Sequence, residues 1–139
     1  MVTPLPLVVG AIIVDRFPGP SRVLAARRTR PPSLAGQWEF PGGKVEPEET
    51  PEGALKREIS EELAVEISVR AELRPPDGGT WPASNGYRMR LFYATASGEP
   101  APRDGHDLVQ WLTAAELDDV VWLESDRGVL VHLHLDGER

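Results

Sequence analysis

Residues 7–14 read Leu-Val-Val-Gly-Ala-Ile-Ile-Val, eight positions without one polar side chain. A run this short and this rich in β-branched residues predicts a buried strand, so the rest of the chain must supply apolar cover for it. The next residues, Phe17-Pro18-Gly19-Pro20-Ser21, form a turn, and Arg22–Arg28 follows as a second strand. Trp38-Glu39-Phe40 is a short extended piece ended by Pro41-Gly42-Gly43. Thr50 is placed to cap a helix with Pro51 at its first position, running to about Leu63. Beyond it, Val65–Leu73 alternates as a strand does, residues 75–86 read as a loop, and Tyr87–Ala96 is a strand with Tyr87, Met89, Leu91 and Tyr93 on one face. Val109–Leu112 is a short strand. Thr113 with Glu116 forms a capping box, and a last helix is expected from Ser125 to near His134. Strands and helices alternate irregularly, which predicts a single domain over 1–139 of the α/β class, with a mixed sheet and helices on both faces.

Charge narrows the class of partner. The formal net charge of −7 weighs against a protein that coats long nucleic acid, which would carry a basic balance. It does not exclude a nucleotide substrate arriving with a divalent cation; no polymeric nucleic acid and no membrane partner is expected, and a monomer or homodimer is expected. With no cysteine there is no disulfide, thiolate metal site or cysteine nucleophile. The apolar start at Leu5–Val14 carries Pro4 and Pro6 and lacks a basic flank, so it is read as a strand and not a signal peptide. No run approaches the ~18 apolar residues of a transmembrane helix, and a cytoplasmic location is expected.

The charges are also segregated along the chain. From Arg16 to Trp38 there are five arginines and no acid, whereas Lys44–Glu66 holds eight glutamates against Lys44, Lys56 and Arg57. Carboxylates that hold a divalent cation, beside guanidiniums that take phosphate oxygens, would look like this in sequence.

The acidic helix sharpens that reading. At 100° per residue, Leu55, Ile59 and Leu63 make one buried stripe. Glu58, Glu61 and Glu62 stand at i, i+3 and i+4 on one side of the helix, two of them bordering the stripe. Like charges at that spacing repel unless something positive sits between them. A hard divalent cation with oxygen ligands is the natural compensator. Arg57 is placed to pair with Glu61 or to hold a neighbouring carboxylate, and Pro41-Gly42-Gly43 is a turn that lets backbone approach a ligand closely.

Gly43, Glu49 and Arg57-Glu58-Ile59-Ser60-Glu61-Glu62-Leu63-Ala64-Val65, at these spacings, resemble the Nudix box of the Nudix hydrolases. Ala35–Glu46, the strand Val23–Arg28 and the tail Val121–Gly128 are similar to the MutT branch, especially its CTP pyrophosphohydrolase-like members. One position departs: the glycine expected at the helix end is Ala64, where a left-handed conformation costs alanine roughly 1–2 kcal/mol. The resemblance implies an α/β/α sandwich around a mixed sheet. It also implies Mg²⁺-dependent hydrolysis, with Mn²⁺ as a substitute, of nucleoside triphosphates to monophosphate and pyrophosphate. Its metal would be held by Glu58, Glu61, Glu62 and the Gly42 carbonyl, with Arg57 in the catalytic set. A further acid from the loop before Trp111 commonly joins such sites; the matching position here is Gly105, with Asp104 adjacent.

On the substrate side, the resemblance gives Arg28, Glu39 and Asp126 as binding residues. Arg27 should point the other way on its strand. An ionised Asp126 would carry acceptors only and favour cytosine or guanine, which offer amine or imino hydrogens, over uracil and thymine. Cytidine nucleotides or oxidised guanine nucleotides are the expected substrates. The rival readings are a hydrolase of ADP-ribose or related dinucleotides, and a non-catalytic nucleotide sensor; intact carboxylates speak against the sensor.

Overall fold

The computed structural model describes residues 6–136; Pro4 and Leu5 of the apolar start lie outside them. Eight strands make one mixed sheet: β1 (Leu7–Val14), β2 (Arg22–Arg28), β3 (Trp38–Glu39), β4 (Gly42–Lys44), β5 (Ile67–Leu73), β6 (Trp81–Pro82), β7 (Arg88–Ala96) and β8 (His106–Thr113). The main path runs β3-β2-β1-β7-β5, with β4 on β1, β6 on β7 and β8 on β2. At its centre β1 and β7 pair in parallel over the full length of β1, from Leu7 opposite Arg88 to Val14 opposite Thr95. The all-apolar run is explained by that place. Ile12 and Val14 face one core, with Trp38, Leu91, Tyr93, Trp122 and Leu130. Val9, Ala11 and Ile13 face the other, with Leu24, Leu55, Ile59 and Leu63. Both faces of β1 are therefore sealed, as strand alternation requires.

Helix α1 (Pro51–Leu63) covers the second core. It begins as expected: Thr50 is its N-cap and Thr50 Oγ1 accepts from the Gly53 N–H at 3.0 Å. It ends on Ala64 in the left-handed region, φ 54° and ψ 37°, whose N–H reaches the Ser60 carbonyl at 3.1 Å. Alanine occupies the conformation that favours glycine, so the helix leaves in that geometry despite the departure in sequence.

Four sequence expectations change. The last helix is only α2 (Glu124–Arg127), followed by a 3₁₀ turn at Leu130–His132. Gly128 caps α2, and a glycine beside β-branched Val129 and Val131 is a poor place to continue a helix. The 75–86 loop contains β6, because Trp81 is buried and its Nε1–H donates to the Leu73 carbonyl at 2.8 Å. Strand β5 begins two residues late, at Ile67. Strand β8 begins at His106, earlier than Val109, because pairing with β2 holds residues whose exposed side chains carry no apolar pattern.

Candidate active site

Five elements bring the polar groups together. A register shift between Arg27 and Arg28 lets β2 present successive arginines differently, with Arg28 opposite His106 of β8. Arg27 turns to Asp107, donating through Nε at 2.9 Å and Nη2 at 2.7 Å. Arg28 instead donates through Nη1 to both Glu39 oxygens, at 3.0 and 3.2 Å. The two arginines do separate as expected. Glu39 stands on β3, paired to β2 at Ala26.

The β4 glycines are required by space. A Cβ at Gly42 would overlap the Val9 carbonyl of the paired strand, and one at Gly43 would overlap the Glu58 carboxylate. Strand β4 can therefore lie directly against the acidic face of α1. On that face burial is graded: the Glu62 side chain is 8% exposed, Glu58 19% and Glu61 46%.

Arg57 is the counter-charge. Its Nε and Nη2 grip Glu49 at 2.8 and 2.9 Å, its Nη1 reaches Glu58 at 2.9 Å and Glu61 at 3.3 Å, and Nη2 also donates to the Lys44 carbonyl. A two-point grip of this kind is strong and directional. It holds the Glu49 carboxyl down to about 2, chiefly through the Arg57 hydrogen bonds. Glu62 goes the other way. Burial, a hydrogen bond with Glu58 and the charges of Glu39 and Glu58 all raise its proton affinity. Its Oε1 is buried with no hydrogen-bond partner. An orphaned carboxylate oxygen among like charges is the feature a divalent cation satisfies, and the all-oxygen set of Glu58, Glu61, Glu62 and the Gly42 carbonyl suits a hard one.

Two cavities meet over these residues. One, of about 280 Å³, is polar and bounded by Arg28, Arg30, Glu39, Glu58, Glu62 and His106. The other, of about 300 Å³, is walled by apolar groups such as Val8, Leu34, Phe40, Met89 and Leu123, with Asp126 among them. Arg28, Glu39, Gly42 and Gly43 border both.

Asp126 is 3% exposed, and its Oδ2 accepts the Phe40 N–H at 3.2 Å. Burial and the Glu39 charge push its carboxyl well above 3.8, against the Phe40 N–H and the Arg28 charge. Against the expected ionised, accept-only aspartate, burial favours the protonated form, which carries one O–H donor beside its acceptors.

The loop before Trp111 holds a second surprise. Asp104 turns outward to Arg30 at 3.1 Å, both more than half exposed, and Gly105 takes φ 90°. Asp104 thus borders the polar cavity paired with Arg30, and Gly105 offers no carboxylate. His106 enters instead: its side chain is 5% exposed and its Nε2 lies 2.7 Å from Glu39 Oε2. It falls before the strand expected at Val109–Leu112. Its only signal is the cross-strand register with Arg28, which no local pattern carries.

This arrangement of box, glycine turn and acidic helix can be compared with known proteins. The chain matches the Nudix domain over residues 4–133. It belongs to the Nudix family. A Mycobacterium tuberculosis relative, whose name marks it as a proposed 8-oxo-dGTP diphosphatase 2, is 48% identical over 118 residues, 80% of this chain and 78% of that one. The CTP pyrophosphohydrolase of Escherichia coli K12 is 46% identical over 59 residues, 42% of each chain. A solved MutT structure, from work on Aliivibrio salmonicida and Vibrio cholerae, superposes with a TM-score of 0.66 at 26% identity, over 91% of this chain and 94% of that one. This Nudix protein thus shares the mixed sheet and flanking helices of MutT. Nudix hydrolases in general use divalent metals, and the carboxylate face of α1 is suited to one.

Proposed function

We propose that this Nudix protein hydrolyses nucleoside triphosphates to monophosphate and pyrophosphate with Mg²⁺, acting on cytidine nucleotides first and oxidised guanine nucleotides second, in the cytoplasmic nucleotide pool. The observation that carries the reading is the junction of the two cavities. An apolar pocket with a buried carboxyl suits a base, and the adjoining polar pocket suits the polyphosphate. The names of the M. tuberculosis and E. coli relatives support the same substrate class.

A divalent cation held by Glu58, Glu61, Glu62 and Gly42 would neutralise polyphosphate charge and lower the pKa of an attacking water. The chain's own residues do the rest. Arg57 holds Glu49, Glu58 and Glu61 against their mutual repulsion, which keeps the ligand face organised before substrate arrives. Arg28, braced by Glu39, stands where base and phosphates meet. In Asp126 the Phe40 N–H engages Oδ2, so in the protonated form that burial favours the donor would stand on Oδ1. This fixed donor–acceptor order complements the N3 and N4–H₂ edge of cytosine; uracil presents the reverse order.

The test is a hydrolysis panel of CTP, dCTP, 8-oxo-dGTP, UTP and dTTP. CTP and dCTP should exceed UTP and dTTP by about tenfold or more in kcat/KM, since an unmatched buried polar pair costs about 1–3 kcal/mol. Asp126→Asn, which preserves one donor and one acceptor, should keep the preference, and Asp126→Leu should lose it. Equal turnover of CTP and UTP by the wild type would refute the base assignment.

A further inference from the structure

His106 and Glu62 face each other in a way that protein atoms alone do not satisfy. His106 Nδ1 and Glu62 Oε1 are 3.6 Å apart. Both are buried and neither has a hydrogen-bond partner. That separation is too long for a hydrogen bond between them.

The far side of the ring explains which way the imidazole is polarised. Glu39 Oε2 lies 2.7 Å from Nε2. Glu39 is already an acceptor toward Arg28 Nη1. A carboxylate so placed takes the Nε2–H and, in the neutral ring, leaves a lone pair at Nδ1. Nδ1 and Glu62 Oε1 are then two acceptors aimed at one gap, which a cation between them would satisfy. A cation with bonds of about 2.1 Å spans donors up to about 4.2 Å apart, so 3.6 Å is within its reach. Carboxylate, histidine and metal in a row is also the way ligating imidazoles are generally oriented.

The backbone holds this geometry firmly. The Arg103 N–H donates to the Glu62 carbonyl at 2.7 Å, and the Thr29 N–H donates to the Gly105 carbonyl at 2.9 Å. The loop into β8 is thus fastened both to the end of α1 and to the end of β2. Glu39, Glu62 and His106 each bring a ligand atom within 4.8 Å of the others.

We infer that His106 Nδ1 is a nitrogen ligand, shared with Glu62 Oε1 and oriented by Glu39, for a divalent first-row transition cation at the edge of the carboxylate face. The inference rests on the proposed function only in taking Glu62 as a ligand. An imidazole donor distinguishes this site from one built of oxygens alone. Oxygen sets suit Mg²⁺, whereas a nitrogen donor raises affinity for transition metals.

The experiment uses Mn²⁺ alone as the probe, added to the nucleotide-free protein and read by pulsed electron paramagnetic resonance. Bound Mn²⁺ should show ¹⁴N modulation that becomes a ¹⁵N pattern when the protein is made with ¹⁵N-histidine. The modulation should vanish in His106→Gln, with the Mn²⁺ Kd raised about tenfold or more, and persist in His132→Gln, which alters a ring tilted against Trp81. If His106→Gln does not fold, the labelled wild type decides the matter by itself. Bound Mn²⁺ without nitrogen modulation, modulation that survives in His106→Gln, or no Mn²⁺ binding would each overturn the inference. Nucleotide hydrolysis with Mg²⁺ on the same preparation separates the two readings. Hydrolysis with an all-oxygen Mn²⁺ signal overturns the nitrogen ligand alone, and nitrogen modulation without hydrolysis overturns the proposed reaction alone.

Discussion

Ala64→Gly should stabilise this protein. Ala64 ends α1 at φ 54° and ψ 37°, and its exposed methyl group contributes little to packing. A left-handed residue with a Cβ costs roughly 1–2 kcal/mol. Glycine removes that strain but enlarges the entropy of the unfolded chain, a loss of about 0.5–1 kcal/mol. The difference predicts a net gain of about 0.5–1 kcal/mol. For a domain of this size that is an increase of about 2–5 °C in Tm. The assay is urea unfolding at equilibrium, where the midpoint should rise while the slope stays constant, so that the change is one of stability alone. Ala64→Val is the opposing control, since a β-branched side chain tolerates this region least and should lower the midpoint. Turnover should be unchanged in Ala64→Gly, because the N–H to the Ser60 carbonyl is retained and the acidic face of α1 keeps its place. A glycine variant no more stable than the wild type would refute the reasoning. The helix end would then relax at no cost to the alanine.

Two further outcomes follow from the acidic groups. Glu61→Gln should lower kcat by about a hundredfold or more while the fold survives, since the side chain is 46% exposed; near-normal turnover at saturating Mg²⁺ would remove Glu61 from the ligand set. Asp126→Asn should change the pH dependence of stability. The folded carboxyl titrates above the ordinary 3.8, so its contribution is whole below about that pH and is lost as pH rises. The Asn variant lacks this loss, so its Tm should gain on the wild type as pH rises above about 4. Parallel profiles would show that burial does not hold the proton on Asp126.

The acidic helix was legible because its logic is local. Thr50, Pro51 and the Leu55, Ile59, Leu63 stripe specify start, length and buried side within one element, and the glutamates take their positions from the same 3.6-residue period. The order of burial, Glu62 before Glu58 before Glu61, follows from their distance around the helix from that stripe. The tail was less legible. Val129, Leu130 and Leu133 look helical by spacing, but each is buried in the core shared with Trp38 and Trp122, and the backbone after Gly128 tightens into a 3₁₀ turn. There tertiary packing overrode periodicity.

What the sequence determined by itself was the chemistry of one face: a glycine turn, three carboxylates in helical register and the arginine between them. What only the tertiary structure decided was the partner of that face. His106 lies 44 residues beyond Glu62 and 67 beyond Glu39. Strand β8 pairs with β2 through a bulge, and the loop before it is fastened to the end of α1. The carboxyl of Asp126, 86 residues from Phe40, is likewise pushed toward its protonated form only when the core closes over it. Helical spacing is set by backbone geometry within a few residues, whereas desolvation and cross-strand register depend on which distant segments come to lie against each other.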